Sequence, residues 1–268
     1  MKNIGELIKQ KQSFLCVGLD SDINKIPNSF KRYKNPILEF NRAIIETTKD
    51  LCISYKINTA FYESMGAQGW ETMEKTLRLI PDDIFTIADA KRGDIGNTAN
   101  QYAKAFFDRL NFDSITLSPY MGKDTIEPFI SYDDKVAIVL ALTSNKGSND
   151  FEKIKAQDGK FIYEHIITEL ANWAPADKIQ FVVGATHPNA LASIRKLAPE
   201  NFFLVPGIGA QGGDLNAVYK NGNNRNTGLL INVSRGIIYA GNELTNPING
   251  IRKAAVAYQK NMQQLLNG

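Results

Sequence analysis

The sequence predicts an α/β protein built as one (β/α)8 TIM barrel, a single domain over residues 1–268, and three observations lead there. Eight short runs rich in β-branched or apolar residues recur along the chain, each closing in polar or glycine-containing sequence. Segments of helical periodicity lie between them. No linker rich in Pro, Gly or Ser and no low-complexity tract divides the 268 residues. Strands alternating with helices form right-handed βαβ units in a parallel sheet, and eight such units in about 250 residues fit a closed barrel better than an open sheet.

In chain order the runs are residues 14–19, 52–57, 85–90, 114–117, 136–142, 180–183, 202–205 and 229–233. Helical faces fall between them. Ile37, Phe40, Ile44 and Leu51 line one before the second run, and Ala99, Tyr102, Ala103, Phe106 and Leu110 line another after the third. Ile162, Ile166, Leu170 and Trp173 follow the fifth run, and Ile251, Ala255, Tyr258, Met262 and Leu265 close the chain. The spacing in each case matches one side of a helix.

Composition excludes several classes. At 43% hydrophobic and 22% charged residues, the chain carries enough apolar material for a sizeable core and is not disordered. The longest apolar run, 136–142, is far shorter than the ~18–20 residues of a membrane span. The segment up to Glu6 has an early acid and no apolar stretch of the secretory kind, so no leader is expected. The 31 basic and 28 acidic residues nearly balance, and the densest basic run, 31–34, reads as a solvated face rather than a nucleic-acid footprint. Cys16 and Cys52 sit inside apolar stretches, as reduced core thiols of a cytoplasmic protein do. His165 and His187 have no partner at ligand spacing, so no metal site is expected.

In such a barrel the chemistry sits where strands end. The first run ends in Asp20-Ser21-Asp22, the second contains Lys56, and the third leads into Asp89-Ala90-Lys91-Arg92-Gly93-Asp94. Side chains alternate along a strand, so Phe85, Ile87, Asp89 and Lys91 share a face, two apolar residues crowned by an acid and a base. Burying an isolated charge costs several kcal/mol, so a buried cluster should alternate in sign, as Lys56, Asp89, Lys91 and Asp94 do. A structural ion-pair network would show the same alternation. Further on, Pro206-Gly207-Ile208-Gly209-Ala210-Gln211-Gly212-Gly213-Asp214 follows the seventh run and Ser234-Arg235-Gly236 the eighth. Barrels of this kind often hold phosphate there on glycine N–H groups, and Arg235 adds a forked donor. Residues 207–212 also spell G-x-G-x-x-G, but after a seventh strand rather than the first of a dinucleotide-binding unit, so NAD is not expected.

Asp89-Ala90-Lys91-Arg92-Gly93-Asp94-Ile95 resembles the D-x-K-x-x-D-I signature of the orotidine 5′-phosphate decarboxylase family. Gly18-Leu19-Asp20, Tyr55-Lys56-Ile57-Asn58, Thr143-Ser144-Asn145, residues 206–212 and Ser234-Arg235-Gly236 are similar to its other motifs, in the family's order. Asn58-Thr59-Ala60-Phe61-Tyr62-Glu63 with Gly66 and Gly69 is similar to the longer bacterial subgroup. The resemblance implies conversion of orotidine 5′-monophosphate to UMP and CO2 in de novo pyrimidine synthesis, without metal or other cofactor. It also implies a homodimer with shared active sites. Asp89 would face the departing carboxylate, Lys91 would protonate carbon 6, and Lys56 and Asp94 would complete the charged array. Asp94 and Thr98 would reach the neighbouring subunit's site. Asp20 and Lys56 would contact the ribose, Ser144 the pyrimidine, and Gln211, Gly212 and Arg235 the phosphate. Two rival readings are a metal-dependent sugar-phosphate lyase on the same barrel and a non-catalytic nucleotide-binding protein.

Overall fold

The structure, a computed structural model, describes residues 2–186, 188–209 and 212–268. The chain opens with α1 (Ile4–Lys11), capped by the Asn3 side chain accepting from Glu6 N–H. β1 (Leu15–Gly18) leads through a long loop to α2 (Pro36–Thr48), which starts on an Asn35 cap with Pro36 preset at its first position. β2 (Ser54–Asn58), the short α3 (Ala60–Glu63), α4 (Ala67–Leu77) and β3 (Phe85–Arg92) follow. α5 (Gly96–Ala103) passes without a break into a π-helical stretch, Lys104–Arg109. The periodic face expected over 99–110 is therefore carried by two helix types in succession.

β4 (Ser114–Leu117), α6 (Lys123–Ile130), β5 (Val136–Leu142) and α7 (Ile162–Trp173) come next. On α7 the buried residues are Tyr163, Ile167 and Leu170, while Ile162, Ile166 and Trp173 are half-buried, so the core-facing side is rotated from the expected one. β6 (Ile179–Val183), α8 (Pro188–Leu197), β7 (Phe203–Pro206), α9 (Leu215–Gly222), β8 (Leu229–Val233), α10 (Arg235–Ile238) and α11 (Pro247–Asn267) complete the order.

The strands follow one another as β1 to β8 in a closed barrel. Each of the eight expected runs became a strand, with ends moved by at most two residues. Nearly every strand residue is buried on both faces, the pattern of a parallel sheet covered by helices. The described residues group into two compact units, Lys91–Ile231, and Lys2–Ala90 with Asn232–Gly268. In the second unit, Gly18 pairs with Lys56 across β1 and β2, and Asn58 with Asp89 across β2 and β3. Cys16 on β1 and Cys52 just before β2 are free and buried.

Candidate active site

The C-terminal ends of β1, β2 and β3 bring three predicted residues together. Lys56 Nζ donates to Asp89 Oδ2 at 2.6 Å and lies 3.6 Å from Asp20 Oδ1. Lys56 is 4% exposed and Asp89 9%. Burial by itself would push the Lys56 ammonium down, but the carboxylates of Asp20 and Asp89 more than reverse this and hold it above the ordinary lysine range. Asp20 Oδ1 is buried and accepts no hydrogen bond among the described residues. The array thus holds one charged amine in place beside a buried carboxylate oxygen that accepts no hydrogen bond among the described residues.

The loop after β1 is held by groups that the sequence reading did not single out. Tyr62 Oη donates to Leu19 O at 3.1 Å, Tyr239 Oη donates to Asp20 O at 3.1 Å, and Asp22 N donates to Tyr239 Oη at 2.8 Å. Ser21 Oγ donates to Asn41 Oδ1 at 2.6 Å, and Asn41 Nδ2 donates to Tyr62 Oη at 2.9 Å and Thr76 Oγ1 at 3.0 Å. The available signal was Asn41 itself, a polar residue on the apolar face of α2.

After β8, Ser234 Oγ donates to Gly18 O at 3.1 Å, and a Cβ on Gly18 would stand 2.7 Å from that of Ser234. Arg235 follows at the first position of α10, its side chain exposed and paired with no carboxylate among the described residues.

The other unit begins at Lys91. Its φ of +46° is left-handed, a conformation that costs a non-glycine residue about 1–3 kcal/mol and that gathers at functional sites. The extended alternation expected to carry Lys91 onto the Asp89 face is therefore broken at Lys91. Its N–H donates to Thr116 Oγ1 on β4 at 2.9 Å, and Arg92 O accepts from Ser118 N at 2.7 Å. The Arg92 guanidinium lies 5.3 Å from the centroids of both Tyr102 and Phe106. Asp94 is half-buried, with Oδ1 accepting from Ile95 N at 2.8 Å, and Thr98 is exposed in the first turn of α5.

At the end of β5, Ser144 Oγ is buried with no hydrogen-bond partner among the described residues. Glu152 fixes the residue before it, accepting from Thr143 N and from Thr143 Oγ1, both at 2.7 Å. A Cβ on Gly184 would come 2.2 Å from Ser144 Oγ, so glycine at the end of β6 makes room for that hydroxyl. After β7, Gly207, Gly209 and Gly212 all have positive φ, and Gly213 N donates to Gly207 O at 3.1 Å. Glycines of positive φ joined by such a bond suit an anion-binding loop. Gln211 lies outside the described residues, as does His187. Among the described residues no three His, Cys, Asp or Glu side chains are grouped to hold a metal ion.

Known proteins match this chain over nearly all of its length. The family model described as "Orotidine 5′-phosphate decarboxylase / HUMPS family" matches residues 13–246. A Christiangramia forsetii protein named orotidine 5′-phosphate decarboxylase is 53% identical over 242 residues, 89% of each chain. One of the same name from Flavobacterium johnsoniae is 49% identical over 269 residues, 99% of this chain and 98% of the relative. Among solved structures, Leishmania donovani OMP decarboxylase superposes with a TM-score of 0.86 at 38% identity, covering 100% of both chains. A putative orotidine-monophosphate-decarboxylase from Toxoplasma gondii gives 0.89 at 34% identity, covering 99% and 95%.

Proposed function

The chain belongs to the orotidine 5′-phosphate decarboxylase family, and from that premise we propose that it converts orotidine 5′-monophosphate to UMP and CO2 in pyrimidine nucleotide synthesis, without metal or organic cofactor. The observation that carries this reading is the buried Asp20–Lys56–Asp89 array, with Lys91 two residues further along β3.

Loss of CO2 leaves negative charge on carbon 6 of the pyrimidine, which has no neighbouring electron sink. The Lys91 ammonium stabilises that charge as it forms and then donates the proton. Asp89 faces the departing carboxylate. Lys56, held charged by two carboxylates, and Asp94 complete the charged array with Lys91. Asp20, with Lys56, takes the ribose hydroxyls, and the Ser144 hydroxyl, which has no hydrogen-bond partner among the described residues, takes the pyrimidine. Arg235, Gly212 and Gln211 hold the phosphate, whose binding energy is remote from carbon 6 and serves positioning.

The working form is a homodimer in which Asp94 and Thr98 enter the partner's site. Support comes from Ile95, Tyr120 and Met121, large apolar side chains 50%, 86% and 45% exposed in the segments after β3 and β4. One domain over the whole chain agrees with a family match running from residue 13 to 246. A cytoplasmic location agrees with two free buried thiols. Among the described residues, no helix is long and apolar enough to cross a membrane.

The test is spectrophotometric loss of orotidine 5′-monophosphate with purified protein, with and without excess EDTA. Turnover that survives EDTA is expected. No turnover in either condition overturns the reading, and turnover abolished by EDTA points instead to a metal-dependent lyase.

A further inference from the structure

Asp20 is bounded by two peptide planes, and a tyrosine hydroxyl pins each. Tyr62 Oη holds the carbonyl of Leu19, and Tyr239 Oη holds the carbonyl of Asp20 itself while accepting from Asp22 N. Leu19 N also donates to Lys56 O at 2.8 Å. With both planes fixed, the Cα–Cβ direction of Asp20 is fixed as well, and only its own two side-chain torsions remain. Its Oδ1, buried without a hydrogen bond among the described residues and 3.6 Å from Lys56 Nζ, then points an acceptor in one direction.

The pin at Tyr62 is anchored in turn. Asn41 is fully buried in the middle of α2, where an apolar residue would pack at no polar cost. All its hydrogen-bonding capacity toward this loop is used: it accepts from Ser21 Oγ and donates to Tyr62 Oη and Thr76 Oγ1. A buried amide satisfied this fully makes a network with one geometry. The Tyr239 ring stacks on Phe40, at 6.1 Å between centroids and 12° between planes, so its hydroxyl is delivered from a packed side chain.

We infer that Tyr239 and the Asn41–Tyr62 pair are positioning residues that aim Asp20 at one substrate ribose hydroxyl. The inference rests on the decarboxylase reading above and adds to it the groups that preorganise the ribose contact. None of them touches substrate, so removing either tyrosine hydroxyl should weaken only the interaction made through Asp20.

The experiment compares wild type, Asp20→Ala, Tyr239→Phe and Tyr62→Phe on orotidine 5′-monophosphate and on its 2′-deoxy and 3′-deoxy analogues, with a thermal melt of each variant. The hydroxyl that Asp20 accepts is the one whose deletion makes wild type and Asp20→Ala alike. Tyr239→Phe should lower kcat/KM for the full substrate about five- to tenfold, mostly through KM, and leave the rate on that analogue unchanged. Tyr62→Phe releases the other plane and should behave the same way, so either variant suffices if the other melts early. An equal loss on all three substrates, no loss on the full substrate, or no analogue on which wild type and Asp20→Ala agree overturns the inference. A wild-type protein without decarboxylase activity removes the premise as well, whereas an active wild type with indifferent tyrosine variants removes this inference alone.

Discussion

Lys91 combines a catalytic assignment with a backbone that a lysine does not adopt unaided. Its left-handed φ is held by the bond from its N–H to Thr116 Oγ1, so the strain is set against a contact from the neighbouring strand. Replacing Lys91 by alanine should lower kcat about a hundred- to a thousandfold, the usual cost of one electrostatic transition-state donor. UMP affinity, measured by calorimetry, should stay near that of wild type, because the assigned phosphate ligands are other residues. Wild-type turnover would end the assignment. Arg235 should behave in the opposite way. Its guanidinium is exposed and has no carboxylate partner among the described residues, ready for a forked bond to phosphate. Arg235→Ala should weaken UMP binding and lower kcat/KM, with partial rescue by added guanidinium ion; unchanged kinetics would place the phosphate elsewhere.

At the scale of elements, α11 is tied to the end of α2 by a bidentate pair. Arg252 Nη1 and Nη2 reach Asp50 Oδ1 and Oδ2 at 2.5 and 2.7 Å, and Nη1 also donates to Thr47 O at 2.7 Å. The bonds from Arg252 hold the Asp50 carboxyl below the usual aspartate range. A carboxyl whose folded pKa is depressed contributes stability above its unfolded pKa, and loses it as pH falls through the folded value. Asp50→Asn should therefore unfold more easily than wild type at neutral pH, by at most about 1 kcal/mol because both groups are half in solvent. The two denaturation midpoints should converge as pH drops below the ordinary aspartate range. A gap that persists there would assign the effect to packing.

For the whole molecule, the proposed exchange of Asp94 between protomers has a sharp consequence. Lys91→Ala and Asp94→Ala homodimers should each be severely impaired. After joint unfolding and refolding, about half the dimers are mixed and each carries one intact site, so activity should recover to about a quarter of wild type. No recovery would mean that Asp94 serves its own chain. The barrel was legible because the strands are short, largely apolar runs with nearly every residue buried, a signal that needs no knowledge of neighbours. Other features depended on neighbours. α6 carries Pro128 inside it, and α7 is apolar around enough of its circumference to offer two faces to the core. In the site, the charged residues stood out by type at the strand ends. Tyr62 and Tyr239 did not, since only their partners distinguish a positioning group from a packed one, and Asn41 offered only its polarity on the apolar face of α2. The left-handed turn at Lys91 was equally silent, because glycine is the residue that announces positive φ in a sequence.

The two thiols offer a clock. Burial pushes Cys16 up to about 12 and Cys52 up to about 11, so at neutral pH neither presents an appreciable thiolate while the strands stay closed. An alkylating reagent therefore reads out opening events alone. Cys16 times the release of β1, which leads to Asp20, and Cys52 times the start of β2, which carries Lys56. Two labelling rates followed against denaturant would tell whether these strands let go together or one before the other.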